Sequence, residues 1–261
     1  MSDELNPLRN RQDFSGHLAE IGDAGQVARS KLPKIQAMLD AWQAHERGQG
    51  SMISDLFNCQ VMVSSECTKC SEEFKTFTSF TIYQLQFPEN HPAAQPKIEL
   101  DELFHIAWGR EQLASPSDCS MCKTPKVSTA RRTKVSRFPE YLVLYVVRTP
   151  GSGATISTRV NIPPGGIDLS KYSANEDKSP VPAEAPIGFK GPFVYDCYAV
   201  VFHSGTLRSG HYKTVAKSTD VKTLAKDWHI FNDQTVSTVG AELDFKDKSF
   251  HETLIFLKRR P

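Results

Sequence analysis

Asp196-Cys197-Tyr198-Ala199-Val200-Val201-Phe202-His203-Ser204-Gly205, followed shortly by Ser209-Gly210-His211-Tyr212, decides how this chain is read. Apolar and β-branched residues run up to a Ser-Gly turn signal. The chain then turns back through Tyr212 to Ala216. The pattern predicts two antiparallel strands with His211 at the start of the second. A third apolar run, Trp228-His229-Ile230-Phe231, ends in Asn232-Asp233. Polar residues at the ends of neighbouring strands meet in space although they are distant in sequence. A histidine held by an amide or carboxylate is the base half of a nucleophilic triad. On that scheme the partner accepts the imidazole Nδ1–H and leaves Nε2 to take a proton from a thiol. The plainer reading of one histidine beside a glycine turn is a solvated or core side chain.

The wording around these residues narrows the choice. Ser-Gly-His-Tyr at 209–212, then Trp-x-x-Phe-Asn-Asp-x-x-Val at 228–236, resembles the histidine box of the ubiquitin-specific proteases. These are papain-like cysteine proteases that remove ubiquitin. The resemblance implies that His211 is the general base and Asn232 its orienting partner. Asp233 is the alternative orienter, because family members differ in which of the two adjacent positions acts. The loop Ser204 to Gly210 would then flank the channel for the ubiquitin tail. Gly205, Gly210 and Tyr212 become substrate-binding candidates, with glycine permitting close backbone approach.

Two Cys-x-x-Cys pairs lie upstream: Cys67-Thr68-Lys69-Cys70 and Cys119-Ser120-Met121-Cys122. Each tight turn presents two thiolates, and two turns close a tetrahedron with no open position. The expectation is one structural Zn2+, with four free buried thiols as the alternative. Cys59 and Cys197 have no partner at ligand spacing and read as small apolar fillers of strands. Ile53-x-x-Leu56-Phe57, the strand Gln60 to Ser64 and the first Cys pair resemble the finger region of the same family.

Composition bounds the rest. At 261 residues, with 39% hydrophobic residues, there is material for one large domain or two small ones. A formal net charge of +1 gives no pull toward nucleic acid or anionic lipid. Met1 to Asn10 has no apolar run of the secretory kind. The longest apolar run, Tyr141 to Val147, is too short to span a bilayer. Cys-x-x-Cys spacing in such a chain favours metal over disulfide. The expected setting is intracellular, with ubiquitin or a ubiquitinated protein as partner by the resemblance, and neither nucleic acid nor membrane.

Periodicity predicts the remaining elements. Phe14, Leu18 and Ile21, then Ile35, Met38, Leu39 and Trp42, have helical spacing. Gln12-Asp13-Phe14-Ser15 resembles a helical box of the family, with Gly16-His17 in place of its usual continuation. Ile98 to Gln112 reads as a helix with Leu100, Leu103, Phe104, Ala107 and Trp108 inward. Arg131, Arg132, Lys134 and Arg137 alternate with Thr133, Val135 and Ser136, a solvated strand face rather than a nucleic-acid patch. Phe138 to Leu142 resembles the strand entering the family's palm, and Thr149 to Gly153 is a loop. Ala174 to Pro192, rich in Pro, Glu, Ser and Lys, reads as an exposed, mobile insert. Glu252 to Leu257 is a last strand, and Lys258-Arg259-Arg260 reads as its solubilising edge.

The expected fold is α+β, a papain-like cysteine protease of ubiquitin-specific type. It divides into an incomplete helical thumb (1–50), zinc-tipped β fingers (51–140) and an antiparallel β palm with the histidine box (141–261). The implied reaction is thiol-dependent hydrolysis of ubiquitin C-terminal isopeptide bonds. In the family a nucleophile box precedes the Gln-Asp box, whereas the residues before Gln12 hold no cysteine. Alone, the chain is therefore expected to be inactive. It would be a piece of a longer deubiquitinase, a catalytically dead relative that binds ubiquitin or another protein, or a zinc-stabilised interaction module unrelated to ubiquitin.

Overall fold

A computed structural model describes residues 21–22, 26–27, 34–88, 91, 95–112, 118–119, 122–149, 155–206, 209–218, 227–240 and 249–261. Phe14 and Leu18 of the expected first helix, and most of the loop around Gly151, lie outside the described residues, whereas Ile21, the third position of that stripe, stands in a short strand instead. The chain forms two compact units whose segments interleave along the sequence.

The first unit draws on Met1–Thr81, Trp108–Glu140 and Leu169–Phe193. Numbering elements in chain order, its strands are β1 (Ile21–Gly22), β2 (Gln26–Val27), β3 (Cys59–Cys67), β4 (Glu73–Phe80), β7 (Arg110–Gln112) and β8 (Thr129–Arg137). They form one antiparallel sheet in the order β1-β2-β4-β3-β8-β7. Among the described residues two helices precede β3: α1 (Lys34–Gln49) and α2 (Met52–Phe57). The predicted apolar stripe of α1 holds: Ile35, Met38 and Trp42 are buried with Met62, Ala174 and Phe189. Gly48 sits inside α1, in its last turn. At α2, Ser51 and Ser54 close a reciprocal capping box over two backbone N–H groups that the helix itself cannot satisfy.

The basic face of β8 is only partly solvated. Arg131 and Arg132 are exposed and paired with Glu111 and Glu176. Lys134 and Arg137 are buried. Arg137 donates to the carbonyls of Asn58 and Asp55, both at 2.6 Å, and lies 3.8 Å over the Trp42 ring. Those carbonyls belong to the end of α2, where helical partners run out. A planar guanidinium with several fixed donors satisfies them together.

The segment 174–192 is exposed only in part. Ala174, Ala185 and Phe189 are buried, Ala174 N–H donates to the Val135 carbonyl at 2.8 Å, and Ile187–Phe189 forms a 3-10 turn. Its average composition is polar, but a few well-spaced apolar residues suffice to tie it down.

The second unit draws on Ile82–Ala107, Tyr141–Asp168 and Val194–Pro261. It holds β5 (Ile82–Leu85), β6 (Lys97–Glu99), α3 (Leu100–Ala107), β9 (Tyr141–Val146), β10 (Arg159–Asn161), β11 (Ile167–Asp168) and β12 (Val194–Gly205). Then follow β13 (Gly210–Lys217), β14 (Trp228–Asn232), β15 (Thr235–Gly240) and β16 (His251–Arg259). The main sheet runs β15-β14-β13-β12-β16-β9-β5, with β11 also on β12. It is antiparallel except for β5 beside β9. The molecule is thus α+β with largely antiparallel sheets.

Two expectations change here. The helix at 98–112 shrinks to α3: Ile98 joins β6, and Arg110–Gln112 becomes β7. Leu100, Leu103, Phe104 and Trp108 are buried as predicted, while Ala107 is half-buried. Ile98 is apolar because it enters a parallel pair opposite Val160, not because it continues the helix. The last strand is not an edge. β16 lies between β12 and β9, with Ile255 and Leu257 fully buried. Its charged end is engaged: Arg260 pairs with Asp196 at 2.8 Å.

One ionic cluster in this unit had no signal in sequence. The buried Glu252 carboxylate accepts from Arg148 at 3.0 Å, Arg159 at 2.7 Å and the Val160 backbone N–H at 3.0 Å. A buried carboxylate is tolerated when its lone pairs are filled this way.

Candidate functional site

The hairpin β12–β13 presents the histidine. Ser204 stands opposite His211, and Gly205 opposite Gly210, at the closed end. Gly205 has φ +130°, outside the range of L side chains. A Cβ on Gly210 would collide with the His203 ring and the Ser204 carbonyl. Both glycines are therefore required by the turn itself, whatever else they approach.

His211 is the second residue of β13 and Asn232 the last of β14, the next strand in the sheet. His211 Nε2 lies 2.5 Å from Asn232 Oδ1. An amide oxygen only accepts, so Nε2 carries the proton and Nδ1 keeps the lone pair. This reverses the expected assignment, in which Nδ1 met the orienter. Which nitrogen turns inward depends on side-chain torsions that the sequence does not reveal. The ring remains reachable, with 43% of the side chain exposed.

Asp233 occupies the two-residue turn joining β14 to β15, with φ +51°. Its Oδ2 is 3.9 Å from His211 Nε2, beyond hydrogen-bond distance. Asn232, not Asp233, is the residue bonded to the ring. Tyr212 alternates to the opposite face of β13 and packs on His203, ring centroids 4.5 Å apart. Sequence reasoning missed Phe250, which meets the His211 ring edge-on at 6.0 Å and 80°. It stands just before β16, and nothing in the sequence marks it.

In the first unit, Cys67, Cys70, Cys119 and Cys122 converge. All four Sγ atoms lie within 4.8 Å of one another. Cys70 and Cys119 are 3.8 Å apart. A tetrahedron with metal–sulfur bonds of about 2.3 Å has sulfur–sulfur edges of about 3.8 Å. The two turns share a backbone device: Ser71 and Lys123, each following the second cysteine of its pair, have φ +55° and +54°. The backbone N–H of Cys70 points at the Cys67 sulfur and pulls that thiol below its ordinary range. Hydrogen bonding from Thr124 draws Cys122 down to about 6. Four sulfurs so arranged are, once deprotonated, the donor set zinc prefers, and they leave no open position in a tetrahedral coordination sphere.

The other two cysteines are inert. Burial pushes the Cys59 and Cys197 thiols up to about 12. Neither offers a thiolate near neutral pH. Among the described residues, no helix is long and apolar enough to cross a membrane.

Comparison with known proteins bears on the family and the fold. The family model described as ubiquitin carboxyl-terminal hydrolase matches residues 9–256. The chain is 29% identical over 204 residues to ubiquitin carboxyl-terminal hydrolase 21 of Homo sapiens, covering 76% of this chain and 32% of that protein. It is 28% identical over 250 residues to ubiquitin carboxyl-terminal hydrolase 4 of Saccharomyces cerevisiae strain YJM789, covering 93% of this chain and 26% of that protein. The chain thus spans about a third or less of the length of these relatives. It superimposes with a TM-score of 0.63 on the SAGA Ubp8/Sgf11/Sus1/Sgf73 DUB module bound to ubiquitin aldehyde. That match covers 87% of this chain and 47% of the other at 18% identity, a likeness of fold.

Proposed function

We propose, from the premise that this chain belongs to the ubiquitin carboxyl-terminal hydrolase family, that it carries the general-base half of a thiol-dependent deubiquitinase. The observation that carries the reading is the bond between His211 Nε2 and Asn232 Oδ1. With Nε2 donating, Nδ1 is the atom that takes the proton of an attacking thiol. The thiolate adds to the carbonyl of the ubiquitin C-terminal glycine. The carbon–nitrogen bond then breaks as the imidazolium returns its proton to the leaving amine, and water hydrolyses the thioester. Asn232 holds the tautomer throughout. Gly205, Gly210 and Tyr212 are the proposed contacts to the ubiquitin tail.

The attacking thiol comes from outside these 261 residues on this reading. Four of the six cysteines form the four-sulfur cluster, and the other two are buried and protonated. Cys67, Cys70, Cys119 and Cys122 would hold one Zn2+, whose role is structural because the four sulfurs leave no open position. Such free thiols belong in a reducing, intracellular compartment. The same cysteine inventory favours a second reading, in which the chain binds ubiquitin without cutting it.

The test has two arms. Alone, the chain should form no adduct with a ubiquitin bearing a C-terminal electrophile, and mapping any adduct would identify an unforeseen nucleophile. Joined at its N-terminal side to a segment carrying a cysteine box of the kind the family resemblance implies, it should hydrolyse a ubiquitin C-terminal amide. His211→Ala should reduce that rate to background, and Asn232→Ala by about 10²–10⁴-fold. Hydrolysis that survives His211→Ala at the parent rate refutes the base assignment. Ubiquitin binding without hydrolysis in the joined form selects the second reading.

A further inference from the structure

The Asn232 bond fixes one atom of the imidazole, and one fixed atom leaves the ring free to swing about that bond. A second contact, at a different angle, is needed to set the plane and so to aim Nδ1. Phe250 supplies it. Its ring stands 80° from the His211 ring with centroids 6.0 Å apart, an edge-to-face pairing. Phe250 is itself held: it is 6% exposed, and the Lys213 ammonium lies 4.0 Å from its ring centroid. Lys213 is two residues beyond His211 and so shares its face of β13. The backbone beneath Phe250 is anchored as well, because Glu252, two residues on, is bound by Arg148 and Arg159.

We infer that Phe250, backed by Lys213, is a positioning residue for His211. It acts through the histidine and touches no reacting atom. The inference rests on the reading of His211 as the base only for its consequence, not for its geometry. An edge-to-face pair shifts a ratio of ring orientations by about 2- to 12-fold.

The measurement is solvent exchange of the His211 Nε2–H proton by NMR, on the whole zinc-loaded chain. In the parent the proton should be visible and protected by its bond to Asn232. Asn232→Ala should erase the signal and serves to assign it. Phe250→Leu keeps apolar bulk but removes the ring, and should speed exchange about 2- to 12-fold. Phe250→Tyr keeps the ring and should restore the parent rate. A residue that merely fills space would not separate Leu from Tyr in this way. Lys213→Met, which leaves Phe250 in place, should give a smaller acceleration and provides a reading if the Leu variant does not fold. Unchanged exchange in both Phe250→Leu and Lys213→Met overturns the proposal, as does equal acceleration in Phe250→Leu and Phe250→Tyr. The readout needs no turnover. If it passes while the hydrolysis experiment fails, His211 is a positioned histidine that is not a base. If the reverse holds, the base is positioned by Asn232 without help from Phe250.

Discussion

The cysteine knuckles and the histidine hairpin hold their functional atoms by opposite means. The four sulfurs converge from two short turns, with Val127 as the buried apolar neighbour of the cluster. Among the described residues little other hydrophobic packing closes the site, so on the proposed zinc reading most of the closing energy comes from the metal. The histidine draws on segments far apart in the chain: Asn232 from the end of β14 and Phe250 from the residue before β16. It inherits its rigidity from a sheet with a full core, in which Trp228, Ile255 and Leu257 are completely buried. A site assembled from local turns is fragile without its ion. A site assembled from a packed sheet persists when any one contact is lost, but is then aimed less well.

Metal removal should break this contrast most severely. One zinc per chain is expected by elemental analysis. Chelation or Cys70→Ser should destabilise the first unit by several kcal/mol, since structural zinc binding is folding free energy, on the order of 10 kcal/mol in small zinc domains. The Asn232 bond, read from the His211 Nε2–H signal, should survive. Loss of that signal together with the metal would show that the two regions are not separable.

Glu252→Gln tests the other side. It leaves buried Arg148 facing a neutral amide, and burial already draws that guanidinium down to about 10. Removing one partner of a buried pair costs about 3–5 kcal/mol, so the urea midpoint should fall accordingly. Arg137→Met should cost about 2–3 kcal/mol in the first unit, by stranding the Asn58 and Asp55 carbonyls. An unchanged midpoint for either variant would mean that water replaces the lost partners.

The smallest effect is acid sensitivity at His45. Its Nε2 is 2.9 Å from the Asn58 amide nitrogen and must accept, so the ring is held neutral. Burial, and next the nearby Arg137 cation, lower its affinity for protons. A histidine whose folded pKa is depressed contributes stability above its unfolded pKa of about 6.5. That contribution is lost as pH falls through the folded value. Unfolding midpoints should therefore drop below pH 6.5, and His45→Gln should flatten that part of the curve. An identical pH dependence in the variant would remove His45 as the cause.

The two regions also differ in how far they could be read in advance. The cysteine cluster was legible because ligand geometry follows from spacing within each turn. The histidine box was legible as a pattern, and α1 as a period. Less visible were the buried members of β8. Arg131 and Arg137 look alike along the chain, yet one faces water and the other caps α2 beneath Trp42. The segment 174–192 misled for a related reason, since composition averages away the few residues that anchor it.

What the sequence determined by itself was local: strand alternation around His211, the turn glycines, the apolar stripe of α1 and the paired cysteines. Each depends on neighbours a few residues away, which constrain backbone torsions directly. What the tertiary structure decided was which partner meets which atom. Nε2 rather than Nδ1 faces Asn232, Asp233 falls short of the ring, β16 is interior rather than an edge, and Phe250 stands against His211. These outcomes turn on side-chain torsions and on burial by segments distant in the chain. Hydrophobic packing is non-directional and selects its partners only once the whole sheet is assembled.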